Sequence, residues 1–219
     1  MNAVPIVFDL DGTLIDSAPD ICAIANGVLE EIGAKVLSLP EARSFVGHGA
    51  DTFVRRMRAA RDLPDADHDT LMARFLELYE GQVAHSVVYP GVLDALTVLA
   101  TRGHRLGICT NKPFRPTEIV LAHFDLTTRF ATVVGGDSLA VRKPNPEPLY
   151  AAFEALGGTG LYVGDSEVDA EAAARAGVPF LLYTEGYRKA PLSEVPHTAA
   201  FSHWDEVPEL VRALSAQSA

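Results

Sequence analysis

A doubly wound α/β fold, with a block of helices inserted after its first strand, is the class this 219-residue chain predicts. Short apolar runs at residues 4–8, 106–109, 132–134, 161–163 and 180–183 lack polar alternation, as strands buried on both faces do. Helical patterns such as 146–156 and 167–176 separate the later runs, the alternation of a parallel sheet with right-handed crossovers. The interval from about residue 18 to residue 85 carries helical patterns and no strand.

Each element has a local reason. The first run leads into "VFDLDGTLIDS", residues 7–17, and from there into "SAPDICAIANGVLEEIG". Ser17 and Asp20 suggest a capping box, Ile21, Ile24, Val28 and Ile32 an apolar stripe, and Gly33 a stop. Ser38 with Glu41 predicts a second helix start, and Leu71, Phe75 and Leu78 share one face of a later helix. Pro90-Gly91 punctuates the return to the sheet. The expected division is an α/β core of residues 1–16 and 86–219 with a helical cap of residues 17–85. Beyond Glu185, a region that includes Trp204, a short strand and a helix are expected.

Composition excludes several classes. A net charge of −11, with 29 acidic against 18 basic residues, argues against nucleic-acid binding, which needs clustered Lys and Arg. Cys22 and Cys109 have no CxxC partner and read as small buried hydrophobes. No leader pattern and no bilayer-length apolar run is present, so a cytoplasmic protein is expected. Its expected partner is a small molecule, with no nucleic acid and no membrane, and the chain itself a monomer or homodimer.

Ligands of open parallel sheets bind beyond the carboxyl ends of the strands. Asp9 and Asp11 stand there, then Thr110-Asn111-Lys112, then Lys143, then Asp165 and Asp169. Carboxylates so grouped need a divalent cation, and an all-oxygen site suits Mg²⁺. A lysine and a hydroxyl beside them suit a phosphoryl group, held by Lys143, Thr110 and loop N–H groups around Gly12 and Thr13. An Asp could then act as nucleophile, with Asp11 protonating the leaving oxygen and later activating water. Taken singly, each feature has a plainer reading: D-x-D and Gly164-Asp165-Ser166 as helix caps, Thr110-Asn111 as a strand end, Lys143 as a solvated side chain.

Other features carry less. Gly47-His48-Gly49 lacks the preceding strand of a nucleotide loop, and no G-x-x-x-x-G-K-[ST] occurs. The seven histidines show no paired metal spacing, and Arg55-Arg56 with Arg58 read as a solvated helix face.

"DLDGTLIDS", "CTNK", "RKPNPEPL" and "GDSEVDAEAAARAG" resemble, in order and spacing, the four motifs of the haloacid dehalogenase superfamily of phosphotransferases. The resemblance implies Asp9 as nucleophile, Asp11 as general acid and base, and Thr110 and Lys143 as phosphate contacts, Asn111 standing between them. It implies Mg²⁺ on Asp9, the Asp11 backbone carbonyl and Asp165, with Asp169 in support. Asp11 favours phosphate esters over carbon–halogen or carbon–phosphorus substrates, since the members that cleave those bonds lack this acid. In the helical insert, "SFVGHGADTFVRRM" is similar to phosphoglycolate phosphatases, which implies 2-phosphoglycolate as substrate and an anion-binding helix start assisted by His48 or Arg55. A sugar phosphomutase and a phospho-aspartate switch are the rival readings.

Overall fold

Ile6–Phe8 (β1) lies inside a six-stranded parallel sheet of order β5-β4-β1-β6-β7-β8, in a computed structural model that describes residues 3–79 and 83–217. Its neighbours are β4 (Leu106–Cys109) and β6 (Leu161–Gly164), and β5 (Thr132–Val134), β7 (Phe180–Tyr183) and β8 (Ala199–Phe201) complete the sheet. Phe8 pairs with Ile108 on one side and Val163 on the other, so three strands end level with one another. The first strand is shorter than its apolar run because Pro5 offers no N–H to the ladder.

Alternation along β1 sends Ile6 and Phe8 to one face and Val7 to the other. The first face is covered by α5 (Val92–Thr101), α6 (Phe114–His123) and α9 (Val207–Gln217) through Leu96, Val120 and Val211, with Trp204 packed on Phe8. The second is covered by α7 (Glu147–Ala155) and α8 (Glu167–Ala176) through Leu149, Phe153 and Ala173. Each fully buried Leu, Val or Phe contributes about 1.5–3 kcal/mol of transfer free energy.

Between the first and second sheet strands of the chain stand α1 (Ala18–Glu31), α2 (Leu39–Phe45), α3 (Ala50–Ala59) and α4 (His68–Tyr79). They share a cluster of their own, including Ile24, Val28, Met57 and Leu71, in which Phe53 stacks on Phe75 at 5.3 Å. An antiparallel pair, β2 (Ile15–Asp16) with β3 (Val87–Val88), brackets these helices. Two-residue strands carry no readable period, so this ladder was absent from the sequence expectation. Residues 1–2, 80–82 and 218–219 of the expected division lie outside the described residues.

Three local expectations are corrected. Ser17 and Asp20 form no capping box: Ser17 Oγ donates to Asp11 Oδ1 at 2.6 Å, and Asp20 accepts the His85 and Ser86 N–H groups. The Tyr187 hydroxyl instead accepts the N–H groups of Ser17 and Ala18, so a tertiary partner caps α1. Ile32 is exposed beyond the helix end rather than buried on its stripe. Arg58 is buried and bonds Leu63 O while pairing with Asp65, unlike a solvated arginine. By contrast, Ser38 and Glu41 do form a capping box at α2, and both cysteines are buried free thiols. No helix among the described residues is long and apolar enough to cross a membrane.

Candidate active site

Asp9 follows β1 directly, its N–H bonded to Val163 O of β6 at 2.8 Å. The chain then turns tightly, with Leu14 and Ile15 N–H groups returning to Leu10 O. Gly12 permits the turn: its φ is +85°, and a Cβ there would stand 2.5 Å from Asp165 Oδ2. Thr13 Oγ1 donates to Asp165 Oδ1 at 2.7 Å, and Tyr187 N–H donates to Asp165 Oδ2 at 2.6 Å. Gly12 N–H is bonded to Ile15 O and Thr13 N–H to Leu10 O. The expectation that these two groups offer free donors is therefore corrected: the tight turn uses both, and the residues shape the loop.

Lys143 is buried with its ammonium 2.7 Å from Asp169 Oδ1, 2.7 Å from the Tyr162 hydroxyl and 3.0 Å from Asp9 Oδ1. Burial opposes its charge, but Asp169 and Asp9 hold the ammonium above its ordinary range. Asp169 is saturated: Oδ1 accepts Lys143 and Tyr162, and Oδ2 accepts Ser166 Oγ and the N–H groups of Asp165 and Ser166. Burial pushes its carboxyl up, yet Lys143 and these hydrogen bonds pull it net below the usual range. Burial pushes Asp9 up to about 7 against the pull of Lys143, and burial with Asp169 and Asp9 raises Asp165 well above its ordinary value.

Asp9, Asp165 and Asp169 each bring an oxygen within 4.8 Å of the others. Asp9 Oδ1 is buried without a hydrogen-bond partner, its approach to Lys143 being an ion pair without hydrogen-bond alignment. Saturated Asp169 leaves Asp9 and Asp165 as the carboxylates with acceptor capacity to spare. Such an oxygen-only donor set, otherwise self-repelling, fits a hard divalent cation.

Asp11 stands apart from that trio. Its carboxylate accepts Ser17 Oγ and faces Lys112 Nζ at 3.2 and 3.4 Å. Lys112 is buried and bonds the Tyr79 hydroxyl of α4 at 2.6 Å; burial opposes its charge, but Asp11 and Tyr79 raise its pKa. A cavity of about 30 Å³ is lined by Asp9, Asp11, Thr110, Asn111 and Lys112 from the sheet side and by Phe53, Phe75 and Tyr79 from the helices. Thr110 Oγ1 accepts Lys112 N–H at 3.2 Å, which leaves its own O–H to donate.

The remaining expected contacts are placed differently. Asn111 Nδ2 donates to Gly47 O and Lys143 O, so its amide clasps the α2–α3 connection to the sheet, and only the buried Oδ1 is unpartnered. Its amide is thus spent on that connection, while Asn111 itself lines the first cavity. Arg55 is exposed and paired with Asp51 at 2.9 Å, outside both cavities, because the i,i+4 partner on α3 holds it. His48 lines a second cavity with Asp9, Asp11, Asp165, Glu167 and Lys189, its Nδ1 buried and unpartnered. Burial, with Arg56 and Lys189, holds that imidazole below its usual pKa.

Tyr162 and Tyr79 had no role in the sequence reading, Ser17 had only that of a helix cap, and Lys112 had only a position. A hydroxyl-bearing residue inside the apolar run 161–163 was the one available signal for Tyr162. Tyr79 gave none, since its partner is 33 residues away.

Three comparisons bear on this arrangement. The family model described as haloacid dehalogenase-like hydrolase matches residues 6–183. A phosphoglycolate phosphatase of Cereibacter sphaeroides is 48% identical over 215 residues, 96% of this chain and 99% of the relative. One from Rhodobacter capsulatus is 46% identical over 212 residues, 95% of this chain and 97% of the relative. A crystal structure described as a predicted phosphoglycolate phosphatase from Haemophilus somnus 129pt superposes with a TM-score of 0.88 at 29% identity, covering 95% of this chain and 97% of that one. With the matched model spanning the whole of the loop, lysine and carboxylate arrangement, the chain belongs to the haloacid dehalogenase-like hydrolase family.

Proposed function

We propose that the protein hydrolyses 2-phosphoglycolate to glycolate and phosphate through a phosphorylated Asp9, with residues 17–85 acting as a cap over the site. One observation carries the reading: a carboxylate nucleophile, an acid two residues on and a free hydroxyl donor line one cavity at the ends of β1 and β4, with the buried Lys143 ammonium 3.0 Å from that nucleophile. Near-full-length relatives named phosphoglycolate phosphatase support the substrate.

Asp9 attacks phosphorus in line, helped by Lys143, which lies close enough to bond a phosphoryl oxygen on Asp9. Thr110 donates its O–H to the same group. Asp11, oriented by Ser17 and Lys112, protonates the departing glycolate oxygen and then takes a proton from the water that attacks the aspartyl phosphate. Asp169 and Tyr162 hold Lys143 in register. Mg²⁺ is the cation we assign to Asp9, Asp165 and the Asp11 backbone carbonyl, where it would neutralise the carboxylates and the charge on the phosphoryl oxygens. Steady-state phosphate release tests the reading: 2-phosphoglycolate should exceed p-nitrophenyl phosphate and glucose phosphates in kcat/KM. Equal rates on all of them would sink the substrate while leaving a phosphatase.

A further inference from the structure

We infer that Lys112 is the anchor for the substrate carboxylate, an inference that rests on the phosphoglycolate reading and assigns its specificity to one side chain. In 2-phosphoglycolate one methylene separates the carboxyl carbon from the ester oxygen, so the group that protonates that oxygen and the group that binds the carboxylate must be neighbours. Asp11 and Lys112 are such neighbours, 3.2 Å apart, and both line the first cavity.

Lys112 is the one cationic side chain among the described residues lining that cavity. An ammonium has three protons. Tyr79 takes one at 2.6 Å, the two Asp11 oxygens at 3.2 and 3.4 Å share a second, and the third is available to a ligand. Ile21, Val46, Phe53 and Phe75 make the rest of the wall apolar, which keeps water away and strengthens an ammonium–carboxylate bond. Asp9 and Asp11 line both cavities; the second offers Lys189 and His48 but adds Asp165 and Glu167, so a substrate carboxylate there would face two further acids.

Tyr79 ties the anchor to α4, its ring 4.4 Å from the ammonium as well as its hydroxyl bonded to it. Lys112 is thereby held at a fixed depth, so that the cavity measures the distance from phosphate to carboxylate.

The test compares 2-phosphoglycolate with the phosphate ester of glycolamide, its neutral isostere, by kcat/KM. The wild-type protein should prefer the acid by about 100-fold, within the range seen when one partner of a buried, hydrogen-bonded charge pair is lost. Lys112→Met should bring that ratio close to unity, while Tyr79→Phe, which keeps the ammonium, should retain it within about threefold. Lys112→Gln preserves polar contact with Tyr79 and Asp11 and serves where the Met variant fails to fold; its ratio should collapse likewise. A ratio unchanged in the Lys112 variants, a collapse in Tyr79→Phe equal to theirs, or a wild-type ratio near unity would each overturn the assignment. Failure of the parent reading looks different: the wild-type protein would then prefer other phosphate esters to both glycolate derivatives.

Discussion

The Thr13 hydroxyl donates a 2.7 Å hydrogen bond to Asp165 Oδ1 across 152 positions of sequence, joining the loop after β1 to the end of β6. Asp165 thereby becomes part of the wall against which the Gly12 turn closes. Gly12→Ala combines a positive φ, costing about 1–2 kcal/mol, with a Cβ 2.5 Å from Asp165 Oδ2. We expect a lower melting temperature and a loss of phosphate release exceeding that stability change, because Asp165 must move. Thermal unfolding beside initial rates checks it, and an Ala variant with wild-type kinetics contradicts it.

Asp9→Asn should abolish turnover, by about 10⁴-fold or more, while leaving the fold intact. Burial already disfavours the Asp9 carboxylate, so its neutral replacement should cost little stability. Single-turnover phosphate release with circular dichroism separates the two effects. Wild-type turnover by the purified Asn variant would remove Asp9 from its role.

Tyr162→Phe deletes the hydroxyl that bonds both Lys143 and Asp169. Loss of a buried hydrogen bond to charged groups costs about 1.5–3 kcal/mol. A looser Lys143 should also lower kcat by about tenfold with a smaller change in KM. Chemical denaturation and steady-state kinetics on the same preparation test both parts.

Metal and proton compete at Asp9. With burial raising its carboxyl from 3.8 to about 7, the metal-free native state holds a proton that the unfolded chain releases between those values. Stability from this group is therefore complete below 3.8 and lost as pH rises through about 7. Added Mg²⁺ should raise the melting temperature, and by more at about pH 8 than at about pH 5.5, since above the raised pKa no proton is displaced. Exhaustive chelation should abolish activity. A pH-independent shift would show that the cation binds elsewhere.

Glu41 behaves with the opposite sign. The Ser38 N–H, then Arg61 and the Ser38 hydroxyl, lower its carboxyl from 4.5 to about 2. Its contribution is present above 4.5 and lost as pH falls through about 2. In Glu41→Gln the melting temperature should lie below wild type at neutral pH, and the gap should narrow over that acid window. Because this side chain is exposed, the gap should be small and should also shrink with added salt.

How much was legible divides along physical lines. The doubly wound sheet could be read from unbroken apolar runs such as 180–183, because two-sided burial writes itself on consecutive residues. Asp9, Thr110, Lys143 and Asp165 could be placed together because a parallel sheet brings strand ends to one edge, whatever lies between them in sequence. The capping box at Ser38 and Glu41 was legible since its partners are three residues apart. Hydrogen bonds between distant side chains were decided only on folding. Tyr187 took the cap of α1 from Ser17, and Asn111 turned its amide to Gly47 and Lys143. Tertiary structure likewise decided that Lys112 would stand between Asp11 and Tyr79, 101 and 33 positions away. A buried ammonium must find its acceptors wherever packing brings them, and no local pattern of residues records that choice.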